Sequence, residues 1–416
     1  DNKYLNIITE KFSSKNDTKI IKTKRNTFYM TEILKNVLST SFHLLDNHQS
    51  ILIIGPDGCG KTSIGRWIGE LYSTITKKSD SSDYKFFICN PEMMISDIIG
   101  RYILYKKENK TDKERIINEV QIEWKYGPVV EAMKNGDCLI LDLIDTAPST
   151  ILERLNSLFD GIGQENFKFP IQENLENPEV LVNPNFRLIA ISSIEGLNNL
   201  SPAFLNRFTI IHVNEQLDSI GDGLDKFINC ISPSESSIFP KLFKLITRAI
   251  EKLIKQGTKL TSLNLSHFVN GFFKLKEKFQ SQLETKDLKS IYAFCLHACI
   301  YHSKEIPELD DSFINVMLNN LDDDIENNEQ YDTFHFKEAK STKKVMATLV
   351  AASIIGLHTI LVGRTVIGKT AAAMAFSRTL KSNKKKNATS HIISFNGETQ
   401  LEDLYGYFTI ENGNFT

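Results

Sequence analysis

The chain has 416 residues, a formal net charge of −2 and 41% hydrophobic residues. Its length exceeds one ordinary domain and its apolar fraction suffices for sizeable cores, so two or three folded units are expected. The near-balance of charges excludes an overall electrostatic drive toward nucleic acid or an acidic membrane surface.

Residues 1–27 are polar, with Lys19, Lys22, Lys24 and Arg25 clustered, and read as a solvated arm. From Tyr29 to Asp46 the apolar positions Ile33, Leu34, Val37, Leu38, Phe42 and Leu45 predict an amphipathic helix. Ile51 to Ile54 then forms an uninterrupted apolar run of strand length. The next eight residues, Gly55-Pro56-Asp57-Gly58-Cys59-Gly60-Lys61-Thr62, fit the phosphate-binding pattern G-x-x-x-x-G-K-[ST]. Ser63 follows, and Ile64, Trp67, Ile68, Leu71, Tyr72 and Ile75 share one helical face. Strand, glycine loop and helix are what the chemistry needs. Glycines let backbone N–H groups wrap a phosphate, and the helix N-terminus adds partial positive charge. In such a loop Lys61 is placed for the β- and γ-phosphates and the Thr62 hydroxyl for Mg²⁺.

Phe86 to Cys89 reads as a second strand, and Pro91 to Lys113 is mixed. Val129 to Lys134 is helical and stops at Asn135-Gly136, a C-terminal cap. Cys138 to Leu141 is a buried strand ending in Asp142. Thr150 and Glu153 have the spacing of a capping box at the start of a helix bearing Ile151, Leu152, Leu155 and Leu158. Phe167–Ile171 and Val180–Val182 are expected to pair as a hairpin, and Arg187 to Ser192 is another buried strand. Strands alternating with helices predict an α/β fold with a largely parallel, three-layer sheet. Beyond Leu217 the pattern turns helical, most clearly at Lys241–Leu253 and Phe268–Leu283. Residues 308 to 332 are rich in Asp and Glu without a glycine-centred loop to organise them, and read as a linker or exposed surface, not a metal site.

The phosphate loop then repeats. Gly363-Arg364-Thr365-Val366-Ile367-Gly368-Lys369-Thr370 has the same pattern after an apolar run, Thr359–Val362, expected as a buried strand. Asp97-Ile98-Ile99-Gly100-Arg101-Tyr102 finds its echo in Asp403-Leu404-Tyr405-Gly406-Tyr407. The chain therefore reads as a polar arm (1–27), a first α/β core (28–215), a helical lid (216–305), an acidic linker (306–335) and the start of a second α/β core (336–416). The second core's catalytic strand would follow Thr416, so the expectation is a segment of something longer.

Six cysteines, Cys59, Cys89, Cys138, Cys230, Cys295 and Cys299, include no C-x-x-C pair and are expected as buried free thiols in a reducing compartment. The longest apolar stretch, Leu349–Val362, contains His358 and is shorter than a membrane span, so a soluble, intracellular protein without a membrane partner is expected.

Several stretches together are similar to the dynein-related branch of the AAA+ ATPases, midasin in particular. They are Trp124 to Asp142, containing Gly127-Pro128 and Gly136; Leu152 to Leu158; Asn183 to Leu188; and Leu200 to Phe208, containing Asn206-Arg207-Phe208. The resemblance implies AAA+ modules with helical lids that close into a ring, binding ATP or ADP with Mg²⁺. By that resemblance Gly55, Pro56, Asp57, Gly58, Cys59, Gly60, Lys61, Thr62 and Ser63 hold nucleotide, as do Gly363, Arg364, Gly368, Lys369 and Thr370. Thr62, Asp142 and Thr370 serve the metal, and Arg207 is an arginine finger acting on an adjacent module. The position after Asp142 normally holds a glutamate that polarises the attacking water, and here it is Leu143. Ser193 aligns with the first sensor residue, and neither Asn264 nor Ser266 supplies the charge of the second. These departures imply that the first module binds nucleotide with little hydrolysis. The partners implied are neighbouring modules of the same chain and, for a midasin-like protein of the nucleus or nucleolus, a pre-ribosomal particle, without sequence-specific nucleic-acid binding. A non-catalytic nucleotide-binding scaffold and a dynein-type motor are the alternatives; no long heptad run marks a stalk.

Overall fold

The computed structural model describes residues 3–14, 17–23, 27–76, 84–108, 118–214, 261–278, 340–364, 367–382 and 391–395, with shorter pieces between 224 and 317 and beyond 398. The chain divides into two compact units, Asp1–Phe273 with Cys299–Lys304, and Lys274–Ala298 with Glu305–Thr416.

The first unit opens with helix α1 (Lys3–Phe12) and three short antiparallel strands, β1 (Ser13–Ser14), β2 (Asp17–Lys22) and β3 (Thr27–Tyr29). The expected solvated arm is thus a folded layer. Ile8 and Ile21 are fully buried, Phe28 stacks on Trp67 with ring centroids 4.2 Å apart, and Tyr4 stacks on Phe42 at 5.3 Å. The basic residues dominate the composition here, while a few apolar side chains at the right spacing do the packing. Helix α2 (Glu32–Asp46) starts after Thr31, whose hydroxyl accepts from the Leu34 N–H at 3.0 Å. Tyr29, expected in that helix, ends β3 instead.

The core is built on β4 (Ile51–Gly55), followed by α3 (Lys61–Thr76) and β5 (Lys85–Ile88). Next come the short α4 (Ile95–Ile98) and a long antiparallel hairpin, β6 (Gly100–Glu108) with β7 (Asn118–Tyr126). Helix α5 (Pro128–Asn135) ends at Gly136 in the left-handed conformation, as its sequence predicts. Strand β8 (Cys138–Asp142), helix α6 (Ser149–Gly161), the predicted hairpin β9 (Lys168–Pro170) and β10 (Glu179–Leu181), strand β11 (Arg187–Ser193), the short α7 (Pro202–Leu205) and strand β12 (Thr209–His212) complete it.

Five strands form one parallel sheet in the order β12-β4-β11-β8-β5. Both faces are covered, which is why its strands read as continuous apolar runs. Ile51, Ile53, Ile140, Ile189 and Ile191 pack toward α2 and α3, whereas Leu52, Ile54, Leu139, Leu141, Leu188 and Ala190 pack toward α5 and α6. Each fully buried aliphatic side chain in these layers contributes about 1.5–3 kcal/mol. The three-layer α/β expectation holds.

One helix start differs from its expectation. Helix α6 is entered through Pro148 with no side-chain cap, and its first turn already includes Thr150, so the Thr150–Glu153 capping box does not form. The proline's fixed φ starts the helix one residue ahead of the threonine. The mixed stretch from Pro91 holds α4 and β6, and the alternation of Val120, Ile122, Trp124 and Tyr126 was the legible sign of β7.

Helix α8 (Ser262–Lys278) belongs to the first unit through Phe273. In the second unit, α9 (Lys340–Ile355) ends at Gly356 with φ +84°, and the Lys274 ammonium donates to the Ile355 carbonyl at 2.9 Å. Residues 357–364 form no strand, and Ile360 and Val362 are exposed, so the buried strand expected at Thr359–Val362 is not formed. In the first unit the corresponding strand, β4, is buried between β11 and β12. Helix α10 (Lys369–Ser382) follows. Lysines 384–386, the echo at Asp403–Tyr407, Cys299 and most of the acidic linker lie outside the described residues.

Candidate functional site

Gly55 closes β4 and Lys61 opens α3, so the loop between them lies at the carboxyl edge of the sheet, where parallel α/β sheets present their ligand crevice. Gly58 and Gly60 have φ of +78° and +94°. A Cβ on Gly58 would come within 2.8 Å of the Thr261 side chain, which caps α8 by accepting from the Asn264 N–H at 3.1 Å. Lys61 lays its ammonium back across the loop, donating to the carbonyls of Gly55 at 2.8 Å and Pro56 at 2.9 Å, with Asp57 Oδ1 at 3.5 Å. Pro56 and Asp57 form the outer lip, Cys59 is buried beneath, and Ser63 is exposed on the first turn of α3.

Parallel registry sets the neighbours. Ser193 of β11 stands opposite Gly55, and β8 runs alongside β11 on its other side. Asp142, the last residue of β8, is buried and accepts from Thr62 Oγ1 at 2.9 Å. A hydroxyl and a carboxylate so joined are the hard oxygen donors that Mg²⁺ takes alongside phosphate. With left-handed glycines around a partly buried ammonium, these residues fit a nucleoside phosphate with Mg²⁺.

Leu143 follows in the left-handed region, with φ +54° and ψ 42°, and its side chain is 44% exposed. A non-glycine residue there is uncommon and marks local strain. Its backbone is held on both sides: the N–H donates to Asp142 Oδ1 at 3.1 Å, and the carbonyl accepts from Thr146 Oγ1 at 2.8 Å. The chain thus presents an apolar side chain at the position following Asp142.

Ser193 Oγ donates to Asp145 Oδ2 at 3.2 Å and accepts from the Gly196 N–H at 2.9 Å. Sequence reasoning missed this contact, because no spacing rule joins a residue just after β8 to the end of β11. Cys89 lies beside the same edge, its N–H donating to the Asp142 carbonyl at 2.8 Å. Burial, with the nearby Asp142 and Asp145 carboxylates, pushes its thiol up to about 12. It is a neutral packing group, as a buried free thiol should be.

Arg207 stands apart from this edge. Its guanidinium makes a two-point pair with Asp160 at the end of α6, Nε to Oδ1 at 2.8 Å and a terminal nitrogen to Oδ2 at 2.9 Å, and also donates to the Ala203 carbonyl. The bond to Asp160 raises its pKa above the ordinary arginine value. On α8, Asn264 and Ser266 are partly buried, and Leu263 is exposed.

The second loop repeats the lysine geometry. Lys369 Nζ donates to the carbonyls of Gly363 at 2.8 Å and Arg364 at 2.6 Å, Gly368 has φ +86°, and Thr370 is exposed on α10.

A strand-ending glycine loop, a lysine and hydroxyl opening the next helix, and a buried aspartate on a nearby strand define a P-loop nucleotide-binding module, and the five-stranded parallel sheet is that of the AAA+ type. Residues 50–208 match the family model of the AAA domain, dynein-related subfamily. Uncharacterized proteins of Staphylococcus aureus strains USA300, NCTC 8325 and MRSA252 are each 27% identical over 186 residues, 43% of this chain and 62% of theirs. The match thus spans less than two thirds of those relatives' length. NtrX of Brucella abortus, solved in complex with ADP, aligns with 85% of this chain and 68% of its own at 17% identity and a TM-score of 0.31. Among the described residues no helix is long and apolar enough to cross a membrane.

Proposed function

We propose that the first module binds ATP or ADP with Mg²⁺ and turns it over slowly or not at all. The observation that carries this is the pairing of Thr62 Oγ1 with Asp142 at 2.9 Å while the adjoining position holds Leu143. The binding half follows from Lys61, whose ammonium exchanges two loop carbonyls for phosphate oxygens, and from the N–H groups of the Gly58 to Thr62 backbone. Bound Mg²⁺ supplies charge neutralisation on the phosphates. The catalytic half lacks its base: leucine neither accepts a proton nor orients water, and a missing general base costs ~10²–10⁴ in rate.

In this reading the module is one member of a ring of AAA+ modules, with Arg207 released from Asp160 to face a neighbour's nucleotide. Support comes from the second loop, where Lys369 repeats the geometry of Lys61. The extension to midasin-like remodelling of pre-ribosomal particles in the nucleus rests on the sequence resemblance alone.

The test is nucleotide retention by the full chain in Mg²⁺ buffer with Lys369→Ala to silence the second loop. One bound nucleotide per chain is expected, lost on adding Lys61→Ala. A chain that retains none, or retains it equally without Lys61, overturns the proposal.

A further inference from the structure

Nucleotide sites of this kind distinguish a triphosphate from a diphosphate only if some group donates to, or neutralises, the terminal phosphate. Here the polar groups at the sheet edge are engaged with one another. Ser193, placed by strand register beside Gly55, has one hydroxyl hydrogen, and Asp145 Oδ2 takes it at 3.2 Å. The Gly196 N–H on the following turn is taken by Ser193 Oγ at 2.9 Å. Leu143 contributes an apolar side chain. The second oxygen of the acid, Asp145 Oδ1, is buried without a hydrogen-bond partner.

The arrangement is tightly fixed. A Cβ on Gly196 would fall 2.0 Å from Asp145 Oδ2, so the carboxyl group sits directly against the Gly196 backbone. The short turn bearing Asp145 is tied down by Thr146, whose one hydroxyl hydrogen is shared between the Leu143 carbonyl at 2.8 Å and the Cys89 carbonyl at 3.1 Å. The acid is thereby placed against Ser193 and Gly196 at the sheet edge. An anion added beyond the β-phosphate finds the Ser193 hydroxyl already taken by a carboxylate whose charge lies buried behind it, and like charges at short range in a partly desolvated site repel.

We propose that the first module is a nucleoside-diphosphate site, with Asp145 as its specificity-determining residue: it occupies Ser193 and disfavours a γ-phosphate. This rests on the reading of the Gly55–Thr62 loop as a nucleotide site. It gives that site a function other than fuel consumption, because a module that prefers the diphosphate holds one state through a cycle run elsewhere.

The test is calorimetric titration of the full chain carrying Lys369→Ala, with Mg²⁺-ADP and with Mg²⁺ and the non-hydrolysable triphosphate AMP-PNP. ADP is expected to bind about tenfold tighter, and Asp145→Asn, which removes the charge and supplies a donor, to bring the two affinities to within about twofold. Each preference is a ratio within one preparation, so partial unfolding of a variant does not mimic the result. Ser193→Ala, which keeps the acid, is expected to weaken AMP-PNP no more than ADP. AMP-PNP binding as tightly as ADP to the unmutated site, a preference unmoved by Asp145→Asn, or a selective loss of AMP-PNP in Ser193→Ala would each overturn the proposal. Absence of binding by either nucleotide overturns the nucleotide-site reading itself, and is thereby distinguished from a wrong preference.

Discussion

Thr62 and Asp142, on different elements of the sheet's carboxyl edge, meet through a 2.9 Å hydrogen bond from hydroxyl to carboxylate. If this pair is the metal end of the site, Thr62→Ala removes a Mg²⁺ donor without touching the lysine. We expect the Mg²⁺-dependent part of nucleotide affinity to fall ~10–100-fold, the usual cost of losing a metal-orienting group. Titrations with Mg²⁺ and with EDTA check this, and the EDTA affinity should be nearly unchanged.

The Arg207–Asp160 pair is well formed but solvent-facing, with side chains 27% and 58% exposed. Screening reduces such pairs to about 0–1 kcal/mol. A double-mutant cycle in urea with Arg207→Ala and Asp160→Ala should therefore show weak coupling. Because the finger is proposed to act on another module, Arg207→Ala should leave nucleotide affinity at the Gly55–Thr62 loop within about twofold.

Gly58→Ala probes the loop's shape. The substitution forces a Cβ into a backbone with φ +78° and against Thr261, so both the loop and the start of α8 must shift. A nucleotide affinity loss of about tenfold or more is expected, with α/β secondary structure retained by circular dichroism.

Alkaline stability reports the buried thiol. Cys89 is raised from 9.0 to about 12, chiefly by burial, so the folded state keeps a proton that the unfolded chain releases. Its contribution is intact below pH 9.0 and is lost as pH rises toward about 12, by up to about 1.4 kcal/mol per pH unit. Tyr72, raised from 10.0 to about 12 mainly by burial, adds to the loss at the upper end. Urea unfolding at pH 8 and pH 10.5 should show a smaller drop in Cys89→Ala than in the parent chain.

Much of this was legible in the chain. The run Ile51–Ile54, the glycines and Lys61 mark the phosphate loop locally, because a buried strand, a turn and a helix start each leave their own residue pattern. The hairpin β9–β10 and the Gly136 cap were read for the same reason. What escaped depends on contacts between distant residues. Ile8 and Ile21 are too sparse among lysines to announce a core, yet both are fully buried in one cluster with residues of α2, α3 and the sheet. The apolar run at Thr359–Val362 resembles Ile51–Ile54, but burial of a central strand is a property of its neighbours. Asp145 with Ser193, Asp160 with Arg207 and Thr261 with Gly58 are joined only by the fold.

The central claim is that the first module holds nucleotide but lacks the means to hydrolyse it. Single-turnover hydrolysis of ATP by the full chain with Lys369→Ala, at saturating protein, compared with the same chain bearing Leu143→Glu, tests it most directly. The account predicts turnover in the parent at least about 10²-fold below that of the glutamate variant. Parent turnover at a typical enzyme rate of about 1 s⁻¹ or faster, abolished by Lys61→Ala and unchanged by Leu143→Glu, would contradict it.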